Sequence, residues 1–207
     1  MPHDLAPHAQ ANYQVRFDWG VEGLRRLAPA DVVIVVQTLG LTAAALAVEP
    51  GGSLASAHLP AEPVLRAAAE GGAPVLVGGI RNARAVADHV LELQRARAAR
   101  TSIAIIAVGS SDDTDAGALR FAVEDLLGVG AVVAALGDLG IDHASPDAAV
   151  AGEGYRALRG AARHLLSASG TGRELAAAGR SHVVQDAAAR DAASVVPVLV
   201  DGELRAG

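Results

Sequence analysis

The sequence predicts an α/β protein: a parallel or mixed β-sheet layered between helices on both faces. Three short runs carry that prediction, Asp31-Val-Val-Ile-Val-Val36, Pro74-Val-Leu-Val77 and Ser102-Ile-Ala-Ile-Ile-Ala-Val108. Each is continuously apolar and rich in β-branched residues, the mark of a strand covered on both faces. Between them lie stretches with helical spacing, long enough to cross over a sheet.

The elements follow in order. Residues 13–17 alternate and form a first strand closed by Gly20, and 21–27 carry an apolar helical stripe at 21, 24 and 27. Beyond the strand at 31–36, residues 42–48 form a helix ended by Pro50-Gly51-Gly52, and 60–70 form another that stops at Gly71-Gly72. Past the strand at 74–77, Asn82 stands as N-cap of a long helix to about residue 99, with Val86, Val90, Leu91 and Leu93 inward. The strand at 102–108 closes on Gly109. The loop 110–117 then leads into a helix from 118 to about 128, and 131–136 reads as helix as well. Ser145-Pro146 supplies the cap and first position of a helix reaching 167, and a short helix covers 171–178 with Gly179 after it. A last strand at 195–200 precedes a turn at Asp201-Gly202 and a frayed tail. The organisation is a polar N-terminal tail, 1–12, and one α/β domain, 13–203.

Composition narrows the function classes. A chain of 207 residues buries enough surface to need no covalent staple. The absence of cysteine removes disulfides, thiol catalysis and zinc sites built on Cys. The formal charge is -6, from 23 acids against 17 bases, and every base is arginine. An acidic balance and only 2% aromatic residues argue against nucleic acid, which needs a basic face and stacking platforms. The run 31–48 is interrupted by Gln37, Thr38, Gly40 and Thr42, so no membrane span is expected. A polar N-terminus with neither a basic nor an apolar leader region points to the cytoplasm. A homo-oligomer is compatible with all of this. Because lysine is absent and alanine abundant, an arginine in this chain is weak evidence for phosphate binding.

Ligands in open α/β sheets sit beyond the carboxyl ends of the strands. Those ends place Gln37, Thr38, Thr42, Asn82 and Gly109 around one cleft, with Thr38, Thr42, Asn82 and Gly109 as candidate substrate contacts. Gly109-Ser-Ser-Asp-Asp-Thr-Asp115 can cradle an anion with its backbone, but Asp112 and Asp113 would repel phosphate unless a divalent cation bridged them. Magnesium suits such a site, through one or two carboxylates plus phosphate oxygens. A solvated acidic loop that caps the next helix accounts for the same residues. On the helix expected from 118, Leu119, Ala122, Val123, Leu126 and Leu127 form an apolar arc, which puts Glu124 and Asp125 off the core face. That pair can hold a cation or act as acid and base. Alternatively, Arg120 and Glu124 form an i,i+4 pair on a solvent face. The seven histidines show no metal-binding spacing, and no serine sits in a G-x-S-x-G elbow.

Several segments in order resemble the 2-phosphosulfolactate phosphatase family, magnesium-dependent enzymes of sulfonate metabolism. They are Val15-Arg-Phe-Asp-Trp-Gly20, 31–36, Gly78-Gly-Ile-Arg-Asn-Ala83, Gly109, Ala118-Leu-Arg-Phe-Ala-Val-Glu-Asp-Leu-Leu127, Gly130, Gly172-Arg-Glu-Leu175, Gly179, Asp191 and Val196-Pro197. The resemblance implies the family's α/β fold, a Mg2+ cofactor and a small anionic phosphate ester as substrate. It raises Glu124 and Asp125 as catalytic and metal-binding residues, with Asp112 and Asp113 as further ligands. The family's first long strand is usually followed by Asp-Val-Leu-Arg-Ala-Thr, where this chain reads Gln37-Thr-Leu-Gly-Leu-Thr42. Gln37 thus replaces an acid and Gly40 an arginine. The family's Gly-Glu-Arg, Gly-Asn-Ser-Pro and Thr-Thr-Asn-Gly-Thr motifs are also missing between 43 and 79. Two readings follow: a divergent phosphatase using the surviving carboxylates, or a catalytically inactive homologue that binds a ligand or a protein through the old cleft.

Overall fold

Alternate residues of the central strands enter opposite cores, as the pleat requires. Val32, Ile34 and Val36 join one core with Ile103, Ile105 and Ala107, while Val33, Val35, Ala104 and Ile106 join the other. The computed structural model describes residues 6–49, 51–111 and 119–206. Its strands are β1 (Val15–Trp19), β2 (Val32–Val36), β3 (Ser53–Ala55), β4 (Val75–Val77), β5 (Ile103–Ala107), β6 (Ser110–Ser111), β7 (Leu119–Arg120), β8 (Pro197–Val200) and β9 (Glu203–Ala206). The helices are α1 (Gly20–Arg26), α2 (Leu41–Ala45), α3 (Glu62–Glu70), α4 (Ala83–Arg97), α5 (Val123–Asp138), α6 (Pro146–Leu158), α7 (Ala162–Ala168), α8 (Gly170–Ala177) and α9 (Ser181–Ala187).

Seven strands form one mixed sheet in the order β1-β5-β2-β4-β8-β9-β3. The first four are mutually parallel, and β8, β9 and β3 extend the sheet antiparallel from β4. This is the α/β fold with helices on both faces that the apolar runs predict. From β1 through β2 to β4 the chain moves one way across the sheet, with α1, α2 and α3 on one face. From β4 to β5 it reverses, and α4 lies on the other face. Right-handed crossovers demand that change of face. The reversal leaves a switch point between β2 and β5, where the strand ends diverge to open a crevice.

Several expectations are corrected. The helix expected over 118–128 and the one at 131–136 are a single helix, α5, which starts at Val123; residue 118 lies outside the described residues. Leu119–Arg120 pair instead with Ser110–Ser111 in a two-stranded ribbon. Arg120 and Glu124 are therefore not helix neighbours, and Arg120 Nε donates to Ser110 Oγ at 3.0 Å. Glu124 and Asp125 are buried, at 5% and 1% exposure, rather than turned off the core. The apolar arc misled because α5 is buried nearly all round, and an apolar stripe locates a core only on a half-exposed helix. Close packing of α6 on α5 uses Gly130, where a Cβ would fall 2.2 Å from the Ala151 carbonyl oxygen.

The helix expected over 145–167 breaks at a 3-10 turn, Arg159–Ala161, into α6 and α7. Ser145 does cap α6, its Oγ accepting from the Ala148 N–H at 3.2 Å. The tail beyond Gly202 is not frayed. Asp201 and Gly202, at φ 52° and 79°, make the tight turn that folds β9 back on β8. Neither β3 nor α9 was expected. No helix among the described residues is long and apolar enough to cross a membrane.

Candidate active site

The parallel strands all deliver their carboxyl ends to one side, and the switch point there is occupied by Asp125. It stands in the first turn of α5, where the helix dipole favours negative charge. Its Oδ1 accepts the Thr38 N–H from the end of β2 at 2.8 Å, and its Oδ2 accepts the Gly109 N–H from the end of β5 at 3.0 Å. One carboxylate thus bridges the two strand ends across which the chain reverses. Thr38 returns the contact, its Oγ1 donating to the Glu124 carbonyl at 2.8 Å. Gly109 is fixed by backbone geometry: its φ is +74°, and a Cβ would lie 2.9 Å from the Arg120 carbonyl oxygen.

Burial pushes the Asp125 carboxyl up from 3.8 to about 8. The Thr38 N–H pulls it back, the neighbouring Glu124 charge raises it further, and the Gly109 N–H pulls it back again. A carboxyl poised near neutrality in a cleft has the acidity that proton transfer needs.

Glu124 differs from its neighbour. Although only 5% exposed, its carboxylate takes no hydrogen bond or ion pair among the described residues. Both acids line an open cleft of about 1020 Å³ over the ends of β1, β2 and β5, whose wall also includes Asp18, Trp19, Glu22, Gln37, Gly109 and Glu174. Arg26 in that wall is paired with Asp18 at 2.5 Å. The cleft is therefore predominantly acidic.

The other sequence candidates are distributed around this centre. Thr38 and Thr42 line a second, smaller chamber beside the first. Their hydroxyl protons are committed to carbonyls, Thr38 to Glu124 and Thr42 to Gly78, each at 2.8 Å, so neither is a free donor. Asn82 holds the N-cap position of α4 but does not cap with its side chain. Its Nδ2 donates to the Val77 and Val195 carbonyls, both at 3.1 Å, and it lines neither chamber. The first turn of α4 is capped instead by Asp191, whose Oδ1 accepts from the Arg84 N–H at 2.9 Å. Asp112 and Asp113 lie outside the described residues.

Gln37 and Gly40 have a local structural role. Gln37 Oε1 accepts the Leu41 N–H at 3.0 Å, satisfying a free donor at the start of α2. A Cβ on residue 40 would sit 2.4 Å from that same oxygen. Gln37 and Gly40 thus form one steric unit, and the loop is built as a helix cap.

The residues present set what magnesium could find here. This ion keeps several waters and needs only one or two carboxylates plus ligand oxygens. Glu124 lines the open cleft with a carboxylate that takes no hydrogen bond or ion pair among the described residues, a ligand available to a cation. Each Asp125 oxygen retains a lone pair beyond its N–H bond. No group of three or more His, Cys, Asp or Glu that could hold a metal occurs among the described residues. The residues fit a lightly held magnesium, not an all-protein cage.

Sequence reasoning missed Arg81, Arg180 and His182, which line the smaller chamber. Arg180 was within reach of it: Gly179, at φ +70°, ends α8 and sets residue 180. The Gly179 N–H bonds the Ala176 carbonyl and the Arg180 N–H bonds the Leu175 carbonyl, the reciprocal pair of a Schellman motif. Discounting every arginine on compositional grounds hid both guanidinium groups.

Fold and site together define a class: an open α/β protein with a titratable carboxylate seated at the sheet's switch point and a second acid exposed to the cleft beside it. Within that class, the family model of 2-phosphosulpholactate phosphatase matches residues 63–202, and the chain belongs to that family. The match covers α5 with both carboxylates and begins after the rebuilt Gln37–Gly40 loop. No curated protein matches the chain. The family suggests a phosphatase-like function of the 2-phosphosulfolactate phosphatase kind.

Proposed function

We propose that this protein is a cytoplasmic phosphatase that hydrolyses a small anionic phosphate monoester in the cleft over β1, β2 and β5. The observation that supports it most is the pair at the start of α5, a buried Asp125 with its carboxyl raised to about 8 beside an unpartnered Glu124. Water attacks phosphorus as the ester P–O bond breaks. Glu124 takes the proton that the water releases, and Asp125, protonated at neutral pH, gives its proton to the departing ester oxygen. The products are inorganic phosphate and an alcohol. Where Glu124 and an ionised Asp125 hold magnesium, the ion would supply positive charge in place of the Asp125 proton. The test is a screen of phosphate monoesters, 2-phosphosulfolactate among them, with and without magnesium, on the parent, Glu124→Gln and Asp125→Asn. Hydrolysis lost in both variants is the expected result, and hydrolysis unchanged in both would overturn the assignment.

A second reading rests on the Gln37–Gly40 unit. With Gln37 committed to the α2 cap and Gly40 lacking a side chain, this loop offers neither a charged metal ligand nor a phosphate clamp. A catalytically inactive homologue that binds a ligand or a protein partner accounts for that loss. It predicts ligand binding in the cleft with no turnover of any monoester, with or without magnesium.

A further inference from the structure

We infer that the smaller chamber, between α2, the turn after β4 and α9, binds a small amphipathic oxyanion: an anionic head between Arg81 and Arg180, on a short hydrocarbon stem. This rests on the phosphatase reading and adds to it an adjoining subsite for an anionic group carried on a hydrocarbon stem.

The chamber has a volume of about 360 Å³, room for roughly a dozen waters' share of liquid volume. It shares Leu39, Gly40, Leu175 and Arg180 with the acidic cleft, so the two are adjoining halves of one depression. Arg81 and Arg180 form no ion pair and no side-chain hydrogen bond among the described residues, whereas Arg26 in the acidic half is paired. The Nε of Arg81 is buried without a hydrogen-bond partner, a donor left for something that the chamber receives. His182 adds an imidazole to the exposed rim, and Asp186 is the chamber's one opposing charge among the described residues.

Arg81 is held ready for such a ligand. Its turn is pinned by the Asp191 N–H on the Ile80 carbonyl at 3.2 Å and the Ala193 N–H on its own carbonyl at 2.9 Å. Arg180 is set by the Schellman motif at the end of α8. These bonds anchor the two backbones, and guanidinium groups on one chamber wall suit carboxylate or phosphoryl oxygens. Much of the remaining wall is hydrocarbon, including Ala43, Ala47, Leu59, Ile80, Val183 and Ala187, and the Thr38 and Thr42 hydroxyls there have already given their protons to carbonyls. Cationic groups set among apolar walls select a head and a tail together.

Calorimetry on the full chain in EDTA, with inorganic phosphate, hexanoate and hexyl phosphate as probes, tests this. Both hexyl probes are expected to bind, with affinity rising about fourfold for each methylene buried, so that hexyl phosphate exceeds inorganic phosphate. The tighter of the two names the head, phosphoryl or carboxylate. Arg180→Gln, at an exposed position that should fold normally, is expected to weaken both by at least about tenfold. Arg81→Gln should do the same, and if it does not fold then Arg180→Gln alone decides. Inorganic phosphate binding as tightly as hexyl phosphate, no binding of either hexyl probe at millimolar concentration, or full affinity in Arg180→Gln would overturn the inference. Because this binding is measured without magnesium, binding of the hexyl probe together with no hydrolysis of any monoester in the magnesium screen would sink the phosphatase reading alone. Hydrolysis of polar monoesters without hexyl binding would sink the chamber alone.

Discussion

Replacing Asp125 by asparagine keeps the shape of the side chain at the switch point and removes its titration. In the folded protein burial lifts this carboxyl from 3.8 to about 8, so between those values the fold holds a proton that the unfolded chain has released. Its contribution to stability is therefore fully present below about pH 4 and is lost as pH rises through 8. One extra proton in the folded state gives a slope of about 1.4 kcal/mol per pH unit, a loss of roughly 3 kcal/mol between pH 5 and pH 7. No other resolved carboxyl shift opposes this in that window. Asp31 is raised by burial, but bonds from Ser102 and the charge of Arg97 outweigh that and hold it below 3.8. In the Asp125→Asn variant the amide oxygen can accept only one of the two N–H groups, from Thr38 or Gly109, and leaves the other facing NH2. That costs about 1–3 kcal/mol at every pH. The variant should be less stable than the parent at pH 5 and match or exceed it near pH 8. Urea unfolding of both proteins at unit steps from pH 5 to pH 9 measures this crossover. A parent whose stability is flat or rises between pH 5 and pH 8 would refute the reasoning, because the two backbone N–H bonds would then outweigh burial and keep Asp125 ionised.

Magnesium should bind the parent only at millimolar concentration or more weakly, since the Gln37 position supplies no anion; a micromolar site by calorimetry would contradict this. Glu124→Gln breaks no hydrogen bond among the described residues, so unfolding should shift by no more than about 0.5 kcal/mol, while monoester hydrolysis falls by about 10²–10⁴-fold. Loss of stability without loss of activity would return Glu124 to a structural role. Gly40→Ala should displace Gln37 Oε1 from the Leu41 N–H and cost about 1 kcal/mol, as loss of a helix cap does. In a Gln37→Ala background the same change should cost almost nothing, and a full penalty there would dissolve the coupling between the two positions.

The central strands were legible because a run such as 102–108 has one reading in a layered α/β fold: no polar residue interrupts it, so both faces must be covered. The rule that a parallel sheet sends all its carboxyl ends to one side placed Gln37, Thr38, Thr42, Asn82 and Gly109 around one cleft. Gln37 and Gly109 line the acidic chamber, Thr38 and Thr42 the smaller one, and Asn82 neither. Local signals failed where a segment has no solvent face to calibrate against. Around Glu124 and Asp125 the start of α5 slipped by five residues, and two buried acids read as surface. Strands β3 and β9 were invisible because an edge pair of three or four residues owes its existence to its neighbours, not to its own pattern.

By itself the sequence determined the parallel strands β1, β2, β4 and β5 and the helices that follow them across the sheet, because periodicity and β-branching act over a few residues. Only the tertiary structure decided that Asp125 closes the gap between β2 and β5 and that Gln37 locks against Gly40. It likewise decided that Arg81 and Arg180, 99 positions apart in the chain, face one chamber. The first depends on the reversal of strand order after β4, and the last on α9 packing beside the turn after β4. Long-range contacts of that kind are set by how crossovers pack on the sheet, and no local spacing records them.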